Sequence, residues 1–200
     1  VSAANEAYPE RPLEAPKAWK EMIHRYLAGA LGLLILALAV LAFKNRQHLR
    51  QPVLMPLLLL GLVTFQAILG MWTVTLQLKP VVVMAHLLGG FATLSLLFWL
   101  VVSTSDRFRQ QGSASSWLWG AGLGLVLLVG QIALGGWTSS NYAALACPDF
   151  PQCQQRWWPE NMDFDEAFVL WRGLDQNYEF GVLEHPARTA IHLTHRIGAV

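Results

Sequence analysis

Six histidines are spread over 200 residues, and four of them fall where an imidazole is costly. His24 stands at the mouth of the apolar run 23–43, and His86 lies about one and a half turns into the run 81–102. His192 and His195 occupy the first turns of a last apolar stretch, 187–200. In a soluble core a lone histidine usually donates to a backbone carbonyl. Within a membrane span, ionisable groups are expensive and by default mark a site or pathway. Imidazoles without thiolates or clustered carboxylates suit iron, copper or zinc. Two of them on antiparallel helices, at one depth and facing an apolar cleft, best fit axial ligation of haem, although spacing alone leaves copper open. His48 and His185 fall in loops, where a solvated side chain is the expectation.

Glu21 precedes His24 by three residues, so the two share a helical face. One reading makes Glu21 a charge or proton partner to chemistry beside a His24 metal. The other makes it a first-turn acid favoured by the helix dipole, with Arg25 snorkelling to the interface. "CPDFPQC" holds the two cysteines, Cys147 and Cys153. On the non-cytoplasmic side such a pair implies a disulfide, and a seven-residue loop is worth roughly 2.4 kcal/mol in the chain-entropy model. It is read either as a loop staple or as a redox-active pair, which exposure would favour.

The elements that must position these residues follow from composition. Of the residues, 54% are hydrophobic and 14% charged, and the hydrophobic ones gather into blocks. This is an all-α, polytopic membrane helix bundle in contact with the lipid bilayer. A hydrocarbon core of roughly 30 Å needs about 20 apolar residues per helix. Spans are expected at 23–43, 53–72, 81–102 and 117–137, with a further one starting at 187–200. That last stretch is too short to cross, so the chain is expected to be a fragment. The segment 1–22 and the loops 73–80 and 138–186 are assigned to the outer side, and 1–22 has no signal-peptide pattern. The loops 44–52 and 103–116 are assigned to the cytoplasm because Lys44, Arg46, Arg50, Arg107 and Arg109 lie there. All four costly histidines then fall at the outer membrane face. Trp72 and Trp137 close their helices as interfacial belt residues would. A net charge of +1 gives no reason to expect a nucleic-acid partner.

The chain also repeats itself. "QAILGMWT" ends the second run and "QIALGGWT" the fourth, identical at Gln66/Gln131, Leu69/Leu134, Gly70/Gly135, Trp72/Trp137 and Thr73/Thr138. "EMIHRY" and "HLTHRI" pair His24 with His195 and Glu21 with His192. Tandem four-helix repeats around two similar sites are expected, incomplete in this chain. The shared glycines are read equally well as helix-packing residues.

With these residues assembled, the chain resembles the heme A synthase family of integral membrane enzymes in cytochrome oxidase biogenesis. The resemblance is carried by "EMIHRYLAGALGLLI", "FQAILGMWTV", "MAHLLGGFATL", "GQIALGGWTSSNYAALACPDFPQC" and "IHLTHRIGAV". It implies eight helices in two four-helix halves, of which this chain is similar to the second to fifth and the start of the sixth. By the resemblance, His24 and His86 form the axial pair around the substrate, haem O. His195 is half of a site for a haem b cofactor, its partner histidine lying on the absent eighth helix. Glu21 matches the catalytic glutamate, and Cys147 and Cys153 the outer-loop cysteine pair. Arg25 and Arg196 are expected at haem propionates. The implied reaction converts a methyl group of haem O to the formyl group of haem A. The implied setting is the bacterial cytoplasmic (inner) membrane, with haem O synthase and cytochrome oxidase subunits as partners. A b-type electron-transfer cytochrome and a non-catalytic haem-handling assembly factor are the competing readings.

Overall fold

A computed structural model describes residues 6, 14–48, 52–105, 117–174 and 176–200. Arg50, Arg107 and Arg109, on which the cytoplasmic assignment partly rests, lie outside the described residues. The described chain is helical, with one isolated backbone bridge between Cys153 and Arg156. The helices are α1 (Ala15–Lys44), α2 (Leu54–Thr75), α3 (Pro80–Thr104), α4 (Leu118–Ser140), the single turn α5 (Phe164–Ala167) and α6 (His185–Gly198). The first four are long and apolar enough to cross a membrane. Most of their large apolar side chains are exposed, as a lipid solvent demands. This is a membrane helix bundle.

The chain divides into two compact units, 1–64 and 65–200. In the first, Pro16 supplies a proline at the start of α1, where the missing N–H has no helical partner to lose. Lys44 sits in the last turn, favourable to the helix dipole. Ile35, Ala39 and Ala42, spaced four and three residues apart, form one buried stripe.

In the second unit, α2 and α4 end by the same device. Each leaves the helix through a left-handed residue, Gln77 (φ 51°) after α2 and Tyr142 (φ 54°) after α4. The next N–H then reaches back five residues: Leu78 to the Thr73 carbonyl at 2.8 Å, and Ala143 to the Thr138 carbonyl at 2.9 Å. This is the geometry of a Schellman cap, and it satisfies a carbonyl that the helix end would otherwise orphan. The sequence repeat therefore extends as backbone structure beyond its eight aligned residues.

Past this cap the segment up to 184 folds back over the helix ends. Its core joins Trp137, Ala143, Ala167, Leu183, Ala187, Ala190 and Ile191, with Val81 and Met84 of α3 packed against them. Trp137 is 4% exposed, and its indole N–H donates to the Ala167 carbonyl at 2.9 Å. It is thus a core residue, which corrects its reading as a belt residue. Trp72, its counterpart in the repeat, is 40% exposed. The difference lies in what folds over each helix end. A second seam ties this segment to the turn between α2 and α3. Lys79, the residue before α3, is 1% exposed, and its ammonium donates to the Gly173 carbonyl and lies 3.1 Å from the Trp171 ring centroid. Burial pulls the Lys79 pKa down from its usual value, while the carbonyl and the aromatic face stabilise the charge. Nearby, the Tyr178 N–H donates to the Gln77 carbonyl at 3.1 Å.

Cys147 and Cys153 form a disulfide. At 3% and 0% exposed, packed with Leu193 and Met162, they have the burial of a staple and lack the exposure a redox-active pair would need. The turn that closes the loop puts Gln154 and Gln155 in left-handed conformations, φ 56° and 63°. Their two N–H groups converge on the Asp149 carboxylate, at 2.6 and 2.7 Å. This is a backbone nest with its own anion. The Gln155 N–H is the largest of the influences that hold the Asp149 carboxyl below its usual range; partial desolvation opposes it, and the Gln154 N–H and the Arg196 charge add to it.

Two predictions follow from this packing. Trp137→Phe strips the Ala167 carbonyl of its buried donor and destabilises the protein by about 1–3 kcal/mol, the cost of an orphaned buried acceptor. Trp72→Phe is close to neutral, and thermal unfolding of the two variants in the same detergent checks the contrast. For Asp149, a folded-state pKa below the ordinary 3.8 gives stability that is present above that value and lost as pH falls through the folded pKa. Phosphine reduction of the Cys147–Cys153 bond should accelerate only below about pH 4. Asp149→Asn should reduce faster already at neutral pH and show no acid step.

Candidate functional site

Three of the costly histidines sit in the second unit, and two of them, His86 and His195, share the same local setting. The His86 ring of α3 lies on Gly70 of α2, where an added Cβ would stand 3.3 Å from Cε1. The His195 ring of α6 lies on Gly135 of α4, with the corresponding distance 3.2 Å. The contact is returned one turn away. A Cβ at Gly89 would overlap the Gln66 amide, and one at Gly198 would overlap Gln131 Oε1. Each pair is thus a reciprocal notch. A Gln-x-x-x-Gly helix receives an imidazole over its glycine and inserts its glutamine over the glycine of a His-x-x-Gly helix. Gln131 also bonds what it touches: its Nε2 lies 2.9 Å from His195 Nδ1 and 2.9 Å from the His195 carbonyl.

Sequence reasoning found the histidines and the glutamine-glycine half of this motif, and left the glycines open as packing residues. It missed Gly89 and Gly198, although their common offset of three from His86 and His195 was readable. It also missed that Gln66 and Gln131 belong to the histidines.

His192 and Arg196, one turn apart on α6, face the disulfide loop. His192 is buried, and its Nδ1 accepts the Cys147 N–H at 3.1 Å. The Arg196 guanidinium donates to three loop carbonyls: Cys147 at 2.7 Å, Asp149 at 2.5 Å and Gln152 at 2.8 Å. Its Nε lies 3.2 Å from His192 Nε2, and its cation is 5.8 Å from the Phe150 ring centroid. Because His192 Nδ1 accepts, Nε2 carries the ring proton and takes no hydrogen bond from Arg196, so the three loop carbonyls engage three of the five Arg196 N–H groups. A propionate would have two left to share. The main work of Arg196 here is to clamp the cysteine loop to the helix that carries His195.

Glu21, His24 and Arg25 belong to the first unit, all within α1. The helix begins at Ala15, so Glu21 lies beyond the first turn, and the reading of it as a dipole-favoured first-turn acid loses its basis. The one-turn spacing of Glu21 and His24 holds as helix geometry. His24 and His86 fall in different units, so the geometry described for each is internal to its own unit.

The donor set fits haem iron. The candidate imidazoles His24, His86 and His195 lie on three separate helices, and no group of three or more His, Cys, Asp or Glu that could cage a bare ion occurs among the described residues. Gly90, four residues after His86 on the same helix face, meets nothing within 4 Å where a Cβ would stand, so a flat macrocycle could approach the backbone there.

Comparison with known proteins agrees with this chemistry. The chain is 48% identical to the heme A synthase of Shewanella oneidensis, over all of this chain and 60% of that protein. It is 26% identical to the heme A synthase of Shouchella clausii, over 74% of this chain and 52% of that protein. For the heme A synthase of Halalkalibacterium halodurans the identity is 27%, over 70% of this chain and 48% of that protein. The chain therefore spans between about half and three-fifths of the length of these relatives. No solved structure matches. The family model described as cytochrome oxidase assembly protein matches residues 1–200, and the chain belongs to that family.

Proposed function

We propose that this chain is part of a heme A synthase, a multi-pass enzyme of the bacterial cytoplasmic membrane that oxidises a methyl substituent of haem O to the formyl group of haem A. The observation that carries this reading is the 48% identity, over the whole chain, to a protein of that name. Haem O synthase and cytochrome oxidase subunits are the proposed partners, as source of the substrate and destination of the product.

His24 and His86 would hold the substrate, haem O, and His195 would hold a haem b cofactor together with a histidine outside this chain. A haem b bound there would supply one-electron redox chemistry. The chain's own residues do the rest. Gly70 and Gly135 let the rings of His86 and His195 lie close to the neighbouring helix, which limits their rotation. The apolar helices exclude water from the reacting face, so a single carboxylate acts there with little screening. Glu21, one turn before His24, is the group proposed to accept a proton or offset positive charge at the reacting methyl. Arg25 and the remaining N–H groups of Arg196 would meet propionates at the outer face, with snorkelling to the interface the equal alternative for each. Arg196 and the disulfide fix the loop above His195.

Pigment extraction from the full-length membrane protein tests this reading. Haem A or hydroxylated haem is expected. Haem b alone would instead make the protein an electron carrier. If ligand variants abolished oxidase assembly while the purified protein converted nothing, it would be an assembly factor. Glu21→Ala should retain haem and accumulate haem O or the alcohol, with haem A output falling at least tenfold, the order contributed by a positioned acid or base. Unchanged haem A output would remove Glu21 from the mechanism.

A further inference from the structure

We infer that Gln131 is the positioning residue of His195, acting at Nδ1, and that it changes from donor to acceptor when His195 Nε2 takes a metal. The inference rests on the reading of His195 as a haem ligand.

Three observations lead to it. First, the Gln131 amide nitrogen is 2.9 Å from both the His195 carbonyl and His195 Nδ1. The carbonyl fixes which end of the amide is nitrogen, because an oxygen in that place would face another oxygen. The two amide hydrogens then serve the carbonyl and Nδ1, so Nδ1 accepts and the imidazole proton resides on Nε2. In that tautomer Nε2 has no lone pair to give. Second, Gln131 Oε1 is buried without a hydrogen-bond partner. A buried orphan acceptor is a standing cost, and it disappears in any state that offers it an N–H. Third, the surroundings are shaped for this glutamine. Only a glycine at 198 leaves room for its amide, and only a glycine at 135 lets the ring lie where the amide can reach it. The steric half of the notch is built a second time with Gln66, Gly89, Gly70 and His86, but there Gln66 Nε2 has no hydrogen-bond partner, so the bonded arrangement belongs to Gln131 and His195.

Ligation through Nε2 moves the imidazole proton to Nδ1. An amide NH₂ facing that new N–H would repel it, whereas a turn of the Gln131 amide presents Oε1 and satisfies both groups. An acceptor at Nδ1–H raises the basicity of the ligand and stabilises the oxidised metal. Gln131 thereby orients the ring and lowers the reduction potential of whatever iron His195 binds.

The experiment is a redox titration of the full-length haem-loaded protein, followed in the haem absorption component that His195→Ala removes. Gln131→Leu removes the acceptor and should move that component to a more positive potential. Gln131→Glu, of the same shape and able only to accept when ionised, should move it to a more negative one. Opposite signs are expected, because a variant that merely loosened the packing would shift both the same way. Shifts of the same sign, or none in either variant, overturn the inference. Should Gln131→Leu fail to accumulate, Gln131→Met, of similar length and without the amide, takes its place and should likewise move the component to a more positive potential. If His195→Ala removes no haem component, the ligand reading itself has failed, a result distinct from an unresponsive potential.

Discussion

Two imidazoles lie against helix backbone in this protein because a glycine stands opposite each. That close approach is the constraint on which the second unit depends. Membrane helices gain little from burying apolar surface against one another, since lipid offers the same environment. Their association rests on shape and on hydrogen bonds that lipid cannot supply. The Gln-x-x-x-Gly and His-x-x-Gly helices meet the need for shape at both spots, because the glycines admit the polar side chains, and Gln131 with His195 adds the hydrogen bonds. Gly136 adds a further close approach, toward Met84 and Leu87 of α3.

The segment 138–184 depends on a different interaction, the satisfaction of loop carbonyls by one part-buried and one buried cation. Arg196 serves the cysteine loop, and Lys79 serves Gly173. Each cation stands beside a histidine-bearing helix, Arg196 on α6 and Lys79 just before α3. The irregular outer chain is therefore tied to the helices that carry the donors. Both cations thereby satisfy backbone carbonyls of a non-helical segment packed against the helix ends.

Much of this was legible in the sequence. Four apolar blocks of spanning length announce the membrane bundle, and "CPDFPQC" announces the disulfide once it is placed on the outer side. The histidines declare themselves by being expensive where they stand. What was not legible depends on chain segments far apart in sequence. Trp72 and Trp137 are identical in the repeat, and only the fold of residues 138–184 buries one and leaves the other at the surface. Lys79 reads as an ordinary outer-loop cation, yet it is enclosed because Trp171 and Gly173 close over it. The partnership of Gln131 with His195 spans 64 residues, and hydrophobic periodicity carries no information on which polar side chains will meet.

The bond between Lys79 and Gly173 joins positions 94 residues apart. A ribosome delivering this chain into the bilayer would finish α3 long before position 173 had crossed, so the seam beside that helix closes late. Contacts between such distant positions carry a large loop-closure cost and form slowly. Until it closes, Lys79 at the start of the histidine-bearing α3 lacks both its carbonyl partner and its aromatic cover, and the order of synthesis alone leaves that cation accessible for a time.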